Sequence, residues 1–166
     1  MSTPRAAPDA EAAFEIAVRF LGTRPRSAWE VRQRLQRAGA AAGVVTATLT
    51  RLTRLGLVDD AAFAAWWIEQ RDRHAPRGRA ALESELRAKR VAPAAIETAL
   101  RSTADPNLGR AAGEEDRALA ALDRHLRGRP LPDDPRALQR LGMFLVRRGF
   151  DPATARSVLR RRGADA

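Results

Sequence analysis

A chain of 166 residues suits one domain or one short array of repeats, and 45% hydrophobic residues are enough for it to fold. It has no cysteine, which excludes disulfides, thiolate zinc sites and cysteine nucleophiles. Its formal net charge of +10 predicts a polyanionic partner such as a nucleic acid or a nucleoprotein. Because every basic residue except Lys89 is arginine, a bias in genome composition is an alternative source of part of this charge.

The N-terminal residues predict no export signal. Residues 1–11 lack the apolar core of a signal peptide, and no apolar run reaches the roughly 18 residues that a membrane span needs. We therefore expect a cytoplasmic protein that makes no membrane contact. Residues 1–9 have the composition of a flexible leader.

The rest of the chain has an internal repeat. Six positions of a first copy recur at offsets of 51 and 110 residues. The first copy has Pro25, Arg26, Val31, Leu35, Val45 and Leu49; the second has Pro76, Arg77, Leu82, Leu86, Ile96 and Leu100; the third has Pro135, Arg136, Leu141, Leu145, Ala155 and Leu159. Apolar anchors at a fixed spacing are the signature of stacked supersecondary units. Each copy is expected to hold one helix before the Pro-Arg pair and two helices after it.

The first copy carries clear helix signals. Ser27 and Glu30 form the Ser-x-x-Glu pattern of a capping box, which predicts the start of a second helix. Val31 and Leu35 follow at helical spacing and share one face. Gly39 is expected to end this helix, because glycine adopts the left-handed conformation of a helix terminus without steric cost.

The second copy opens at Asp59 and Asp60, whose carboxylates suit the free amides at a helix start. Its second helix is expected to begin near Gly78. Pro93 suits the first turn of its third helix, where the missing N–H removes no hydrogen bond.

The third copy follows a spacer at 105–113 that is rich in proline and glycine and favours hinge motion. The pattern predicts a helix over 114–126, a loop over 127–134 and a second helix over 135–148. Asp151 and Pro152 predict the start of the last helix, as a cap followed by proline.

Together these signals predict an all-α fold of three tandem three-helix repeats, about nine helices in total. The repeats are expected at 10–58, 59–104 and 114–166. A unit of this size cannot bury its whole apolar face alone, so we expect neighbours to stack into an elongated, curved array.

The two adjacent tryptophans, Trp66 and Trp67, point about 100° apart on a helix. One is therefore expected in the core, and the other half exposed. Packing within or between repeats is the favoured role, and stacking on a base or filling a partner pocket is the alternative.

Signals of enzyme chemistry are absent from the sequence. His74 and His125 lie in different copies without acidic partners at ligand spacing, so no metal site is predicted. Lys89 lacks the glycine-rich context of a phosphate-binding loop. The Asp59-Asp60 pair fits a helix cap better than a catalytic pair. We expect no catalytic residue and no cofactor.

The stretch Gly56-Leu57-Val58-Asp59-Asp60-Ala61-Ala62-Phe63-Ala64 resembles a signature of the RecX family. The family pattern Arg-x-Ser-x-x-Glu-Leu-x-x-x-Leu is similar to the stretch from Arg26 to Leu35. Trp67, Arg71, Gly78, Glu85-Leu86 and Lys89 fall where its second repeat places them, and Arg147-Arg148-Gly149-Phe150-Asp151-Pro152 resembles its third repeat. The resemblance runs from about Phe14 to Arg162. Arg90 departs from it, because the family usually has a glycine there.

The resemblance implies a non-enzymatic regulator of the recombinase RecA in recombination and DNA repair. Such proteins bind the RecA–DNA filament at its groove or its ends, and they repress ATP hydrolysis and strand exchange. We accordingly expect a monomer that binds the RecA nucleoprotein filament and has weak non-specific DNA binding. Two alternatives remain open: a stand-alone DNA-binding protein resembling a helix-turn-helix protein, and a scaffold for another protein.

The basic residues are concentrated towards the two ends. Residues 1–58 carry nine basic and four acidic residues, 59–104 carry eight and seven, and 105–166 carry thirteen and nine. Such a distribution suits contact with a polyanionic assembly at both ends. The candidate partner-binding or nucleic-acid-binding residues are Arg24, Arg26, Arg32, Arg34, Arg37, Arg77, Arg79, Arg87, Lys89, Arg90, Arg147, Arg148, Arg160, Arg161 and Arg162.

Overall fold

A computed structural model describes residues 6–102 and 113–164, and within these residues the regular structure is nine α-helices without a strand. The all-α prediction of three tandem three-helix repeats is confirmed. The helices are α1 (Ala10–Leu21), α2 (Ala28–Arg37), α3 (Ala42–Arg54), α4 (Asp60–His74), α5 (Arg79–Ala88), α6 (Pro93–Ser102), α7 (Glu114–Leu126), α8 (Pro135–Arg147) and α9 (Pro152–Ala164).

Most helix starts are set by a side chain close in sequence. Ser27 and Glu30 form the expected capping box, in which each side chain accepts a hydrogen bond from the other residue's backbone N–H. Asp59 accepts from two amides at the start of α4, and Asp151 accepts from the Ala153 N–H at 2.7 Å. Asp9, the last residue of the predicted leader, caps α1. Local capping explains why these boundaries were predictable.

The Pro-Arg pair does not hold the same local position in all three repeats. Pro25 and Pro76 lie ahead of their capping residues, whereas Pro135 is itself the first residue of α8. In the third repeat the helix therefore includes the Pro-Arg pair, and its start at Pro135 agrees with the predicted helix over 135–148. Asp134 causes the difference, because it caps the helix and so starts it earlier. This helix also ends at Arg147, one residue before the expected end.

The turn after the second helix is the same in each repeat. Gly39, Arg90 and Gly149 occupy equivalent positions there, with φ angles of +85°, +59° and +88°. The left-handed conformation lets the chain reverse while the last carbonyl groups of the helix still receive hydrogen bonds. In the second repeat an arginine adopts this conformation, although it disfavours residues with a Cβ.

Each repeat has its own hydrophobic core. Within the described residues, α1 packs against α2 and α3, α4 packs against α6, and α9 packs against α7 and α8. The three cores are centred on Leu35, Phe63 and Leu122, all of them almost fully buried. Burial of these apolar side chains is the main force that holds each unit together.

Repeats one and two meet through polar contacts. The Asp60 carboxylate accepts a hydrogen bond from the Ala28 N–H at 2.8 Å, so a residue of repeat two caps a helix of repeat one. Lys89 Nζ lies 3.2 Å from Glu30 Oε1 and adds an ion pair across the same junction. The pKa of the Asp60 carboxyl is raised, chiefly because burial disfavours its charged form.

Repeats two and three meet backbone to backbone. The Gly78 N–H donates to the carbonyl oxygen of Arg148 at 3.0 Å, and the Ala80 N–H donates to that of Gly149 at 3.3 Å. Beside them, Arg117 Nε lies 2.9 Å from Asp72 Oδ1, and the Arg117 side chain is only 4% exposed. These contacts fix the position of the third repeat against the second.

Some expectations fall outside the described residues. All of the predicted 105–113 spacer except Gly113 lies there, as do residues 1–5 of the predicted leader. The elongated, curved shape and the exact repeat limits stay predictions. No helix in the described part of the chain is both long and apolar enough to cross a bilayer.

Candidate interaction surfaces

The structure divides the predicted basic residues into those that hold the fold together and those that face solvent. Arg24 and Lys89 belong to the first group, because both contact Glu30, at 2.8 and 3.2 Å. The Arg24 guanidinium and the Lys89 ammonium also lie over the rings of Trp66 and Trp67, at 5.7 and 4.6 Å from the ring centroids. These two basic residues therefore stabilise the junction of repeats one and two.

Glu30 is the centre of that junction. Burial opposes its charged form, but hydrogen bonds from Arg24, the Ser27 backbone and Lys89 outweigh burial and lower its pKa. The sequence identified Glu30 only as part of a capping box. Its contact with Lys89 links residues 59 positions apart, and no local pattern could reveal it.

Arg26 and Arg148 are partly buried and pack on aromatic rings. The Arg26 guanidinium lies 4.0 Å from the Phe20 ring centroid, and burial lowers its pKa, with a further contribution from Arg24. Arg148 lies 4.9 Å from the Phe144 ring centroid and donates to the Pro76 carbonyl oxygen at 3.3 Å. Both side chains serve packing, which limits what they can offer to a partner.

Four further candidates form ion pairs inside the chain. Arg79 forms ion pairs with Glu83 and Glu97. Arg87 forms an ion pair with Glu83 at 2.8 Å, and Arg77 lies 3.8 Å from Glu85. In the third repeat, Arg162 lies 3.0 Å from Asp123. The internal pairs of the second repeat leave fewer of its basic side chains available to a polyanion.

The remaining candidates have no ion pair within the described residues. Arg32 is half-buried, and the other six are exposed: Arg34, Arg37, Arg90, Arg147, Arg160 and Arg161. Exposed guanidinium groups without a carboxylate keep their full attraction for a polyanion. Five of these six belong to the first and third repeats, in line with the distribution of charge along the chain.

The tryptophans differ from the expectation that one would be buried and one half exposed. Trp66 and Trp67 are both half-buried, and each ring centroid lies 5.9 Å from that of Phe63. Trp67 Nε1 donates to Glu85 at 2.8 Å. Because Phe63 fills the centre of the core, both indoles sit at its margin beside the first junction.

Two of the arginines that join repeats two and three were missed from the sequence. Arg117 binds Asp72, and Arg124 donates to the main-chain carbonyl oxygens of Asp72 and Arg73. The partners lie about 50 residues apart, at separations of 45, 52 and 51 positions. No group of three or more potential metal ligands occurs in the part of the chain that the structure describes.

Comparison with protein families decides what kind of protein has this arrangement. Three family models match in chain order: the first three-helix domain of RecX at residues 13–52, the second at 59–100 and the third at 113–159. The chain belongs to the RecX family. Each matched range contains one of the three hydrophobic cores described above, except that Val58 of the first core lies beyond residue 52.

The similarity to relatives named RecX covers most of the length of both proteins. The regulatory protein RecX of Mycobacterium ulcerans is 37% identical over 150 residues, which covers 90% of this chain and 83% of the relative. The regulatory protein RecX of Chlorobium phaeobacteroides is 31% identical over 153 residues and is 93% covered. A regulatory role is therefore shared by the family that the chain joins.

The fold agrees with that of a solved RecX structure. The crystal structure of RecX from Lactobacillus salivarius aligns with a TM-score of 0.77 over 96% of this chain and 99% of that one, at 14% sequence identity. At such low identity the agreement concerns the fold alone. The three-repeat architecture is therefore retained although most of the side chains differ.

Proposed function

We propose that this RecX-family protein is a non-enzymatic, cytoplasmic regulator that binds the RecA–DNA filament and inhibits the ATP hydrolysis and strand exchange of RecA. The observation that carries the proposal is the match of all three repeats, in order, to the domains of RecX. A regulator of this kind needs complementary surfaces rather than a catalytic site.

Exposed charge supports a polyanionic assembly as the partner. Arg34 and Arg37 on α2 and Arg160 and Arg161 on α9 are exposed, and none has an ion pair among the described residues. Two separate basic surfaces on one chain would gain from simultaneous binding, because the second contact forms at a high effective concentration. A filament offers repeated sites for such binding, whether in its groove or at its ends.

The test is the single-strand-dependent ATP hydrolysis of RecA, measured with this protein added at substoichiometric and at equimolar levels and at two salt concentrations. Inhibition is expected, and it should weaken at the higher salt concentration because screening reduces the attraction between exposed charges. Inhibition at substoichiometric levels would indicate binding at filament ends or cooperative binding in the groove. An unchanged rate at both levels would overturn the proposal.

Charge reversal locates the surfaces. We expect Arg34→Glu with Arg37→Glu, and separately Arg160→Glu with Arg161→Glu, to weaken inhibition without changing the unfolding curve. Arg19→Glu with Arg54→Glu is the matched control, because both arginines are exposed and were not predicted to bind. Equal loss in the control would mean that net charge, rather than either surface, determines inhibition.

A stand-alone DNA-binding protein is the second candidate, and the net charge of +10 favours it. It predicts tight binding to bare duplex with a steep salt dependence. Four exposed residues of α3, Gly43, Thr46, Ala47 and Thr50, are small, which leaves Arg54 at the end of the helix as the exposed side chain long enough to reach a base edge. Duplex binding with no effect on RecA would favour this candidate over the regulator.

A further inference from the structure

A cleft of about 580 Å³ lies between the C-terminal end of α4 in the second repeat and helices α7 and α8 in the third. The polar side chains that line it are His74, Arg124, His125, Arg127, Arg129 and Arg148. No carboxylate is among the described residues that line it. The two histidines, which lie far apart in sequence, are brought to the same cleft by the junction of the repeats.

The arginines of the cleft are held by neutral groups. Arg124 donates to the main-chain oxygen of Arg73 at 2.7 Å, Arg129 donates to that of Leu126 at 3.0 Å, and Arg148 donates to that of Pro76 at 3.3 Å. A carbonyl oxygen orients a guanidinium but carries no net charge to neutralise it. The cleft therefore holds several guanidinium groups with no carboxylate in its lining, and the Asp72 carboxylate outside the lining attracts one of them, Arg124.

The electrostatics of Arg148 agree with this geometry. Burial lowers the pKa of its guanidinium, and repulsion from Arg77 and Arg124 lowers it further. The nearby carboxylate of Asp72 is bound by the buried Arg117 at 2.9 Å. Positive charges that crowd together in excess over a neighbouring carboxylate attract an anion that can enter between them.

The cleft continues into a second one of about 480 Å³, and the two share His125, Arg129 and Phe144. The second cleft adds Arg140 and Arg147. Arg147 has no ion pair among the described residues, and Arg140 has only a 3.8 Å contact with Asp134. The two clefts form one basic groove, which we call the inter-repeat groove.

An aromatic pair lies where the two clefts join. The ring centroids of His125 and Phe144 are 4.1 Å apart with an interplanar angle of 30°. His125 is exposed, whereas Phe144 is half-buried and has the Arg148 guanidinium 4.9 Å from its ring centroid, so His125 is the more accessible ring of the pair. Flat rings beside a row of arginines are what a strand of unpaired bases needs, because the bases stack while the backbone phosphates meet the charges.

We propose that the inter-repeat groove binds single-stranded nucleic acid. Arginines on both sides of the aromatic pair contact successive phosphates, and the exposed ring of His125, packed on Phe144, stacks a base. The continuity of the two clefts favours a chain of phosphates over a single small anion, and the aromatic pair favours a nucleic acid over an acidic peptide. The proposal does not depend on RecA, because it concerns the protein alone.

The test measures binding of this protein to a fluorescently labelled oligothymidylate of about 16 nucleotides by anisotropy, a length at the upper end of single-strand site sizes. The variant carries Arg127→Asn and Arg147→Gln. Both arginines are exposed, and asparagine tolerates the left-handed backbone of Arg127, whose φ is +52°. We expect affinity to fall about tenfold or more, and the slope of log K against log salt to fall by roughly 1.4, since each single-strand phosphate contact contributes about 0.7.

The matched control carries Arg19→Gln and Arg54→Gln, which remove the same charge from exposed positions in the first repeat. It should lose little affinity and keep the salt slope. An equal loss in both variants would show that net charge alone binds the strand. It would overturn the assignment of the inter-repeat groove as the binding site.

A second variant separates stacking from charge. His125→Ala, at an exposed position, should lower affinity by about fivefold or more while the salt slope is kept, because stacking releases no counterions. Unchanged affinity would remove the base-stacking role and overturn the single-strand assignment.

Competitors identify the chemical class of the occupant. Unlabelled single strand should displace the labelled strand, whereas equal concentrations of duplex, tripolyphosphate or polyglutamate should displace it poorly. Displacement by any of these three at the level of the single strand would overturn the proposal in favour of that class. Loss of strand binding in a groove variant that still inhibits RecA would separate this proposal from the regulatory one.

Discussion

Gly78 and Gly149 touch each other at the boundary between the second and third repeats. A Cβ atom built on Gly78 would lie 2.1 Å from the carbonyl carbon of Gly149, a distance that no side chain can occupy. The absence of a side chain lets the Gly78 N–H reach the Arg148 carbonyl oxygen at 3.0 Å. Both repeats therefore contribute a glycine to the contact.

Gly78→Ala should force the two repeats apart. We expect the free energy of unfolding to fall by about 3 kcal/mol. The new Cβ clashes with backbone atoms, which cannot move aside by a change of rotamer as a side chain can. Urea unfolding followed by circular dichroism measures the change. Gly142→Ala is the control, since the nearest atom to its Cβ is Leu159 Cδ1 at 3.7 Å. That substitution, inside α8, should stabilise the protein by about 1 kcal/mol. Similar stability of the two variants would contradict the close contact.

Arg90→Gly should stabilise the turn after α5. Arg90 has a φ of +59°, a conformation that costs a residue with a Cβ roughly 1 kcal/mol and costs glycine nothing. We expect a gain of about 1 kcal/mol in the free energy of unfolding. The opposite change, Gly39→Ala at φ +85°, should cost a similar amount. A loss of stability in Arg90→Gly would show that the arginine side chain contributes more than its strained backbone costs.

Glu30→Gln should weaken the junction of the first two repeats in a pH-dependent way. The pKa of Glu30 is lowered in the folded protein, so its charge stabilises the fold above the pKa of the unfolded chain, about 4.3, and the benefit is lost as the pH falls through the lowered value. We expect a deficit of about 1–3 kcal/mol at pH 7 that shrinks below pH 4.

Unfolding curves of both proteins across this pH range test the Glu30 prediction. Glu69→Gln is the control, because Glu69 forms a surface ion pair with Arg73 and no other among residues 6–102 and 113–164, so its loss should cost little at any pH. A deficit that does not change with pH would assign the effect of Glu30→Gln to packing rather than to charge.

Arg117→Met should leave the Asp72 carboxylate without its ion-pair partner at the second junction, with only the weaker attraction of Arg124. Burial raises the pKa of Asp72 despite the attraction of Arg117, so the folded protein takes up a proton more readily than the unfolded chain. The destabilisation should therefore reach about 3–5 kcal/mol at pH 7 and decrease as the pH falls and Asp72 is protonated.

The double variant Arg117→Met with Asp72→Asn checks the origin of that loss. It should recover much of the stability at pH 7, because the uncompensated charge is gone. A double variant as unstable as Arg117→Met would show that the arginine acts through contacts other than its ion pair with Asp72.

The helices were predictable because their limits are set by neighbours in sequence. Ser27 with Glu30, and Asp151 with Pro152, carry the information for a helix start within four residues. The junctions were not predictable, because Asp60 caps a helix that begins 32 residues earlier. The same reason explains why Arg148 was expected to face a partner: its contact with Pro76 spans 72 positions. The periodicity of the sequence predicts the helices and their buried faces. Only the assembled repeats show which charged side chains already form contacts within the protein.

The three separate cores also bear on how such a chain changes over time. A substitution that enlarges or shrinks a side chain around Leu35 is accommodated mainly within the first repeat, because the buried residues that the structure describes form three separate clusters. Mutual adjustment between repeats is confined to short junctions such as Glu30 with Lys89 and Gly78 with Gly149. The sequence of each unit can therefore drift almost independently of the others, while these few junction pairs must change together or not at all.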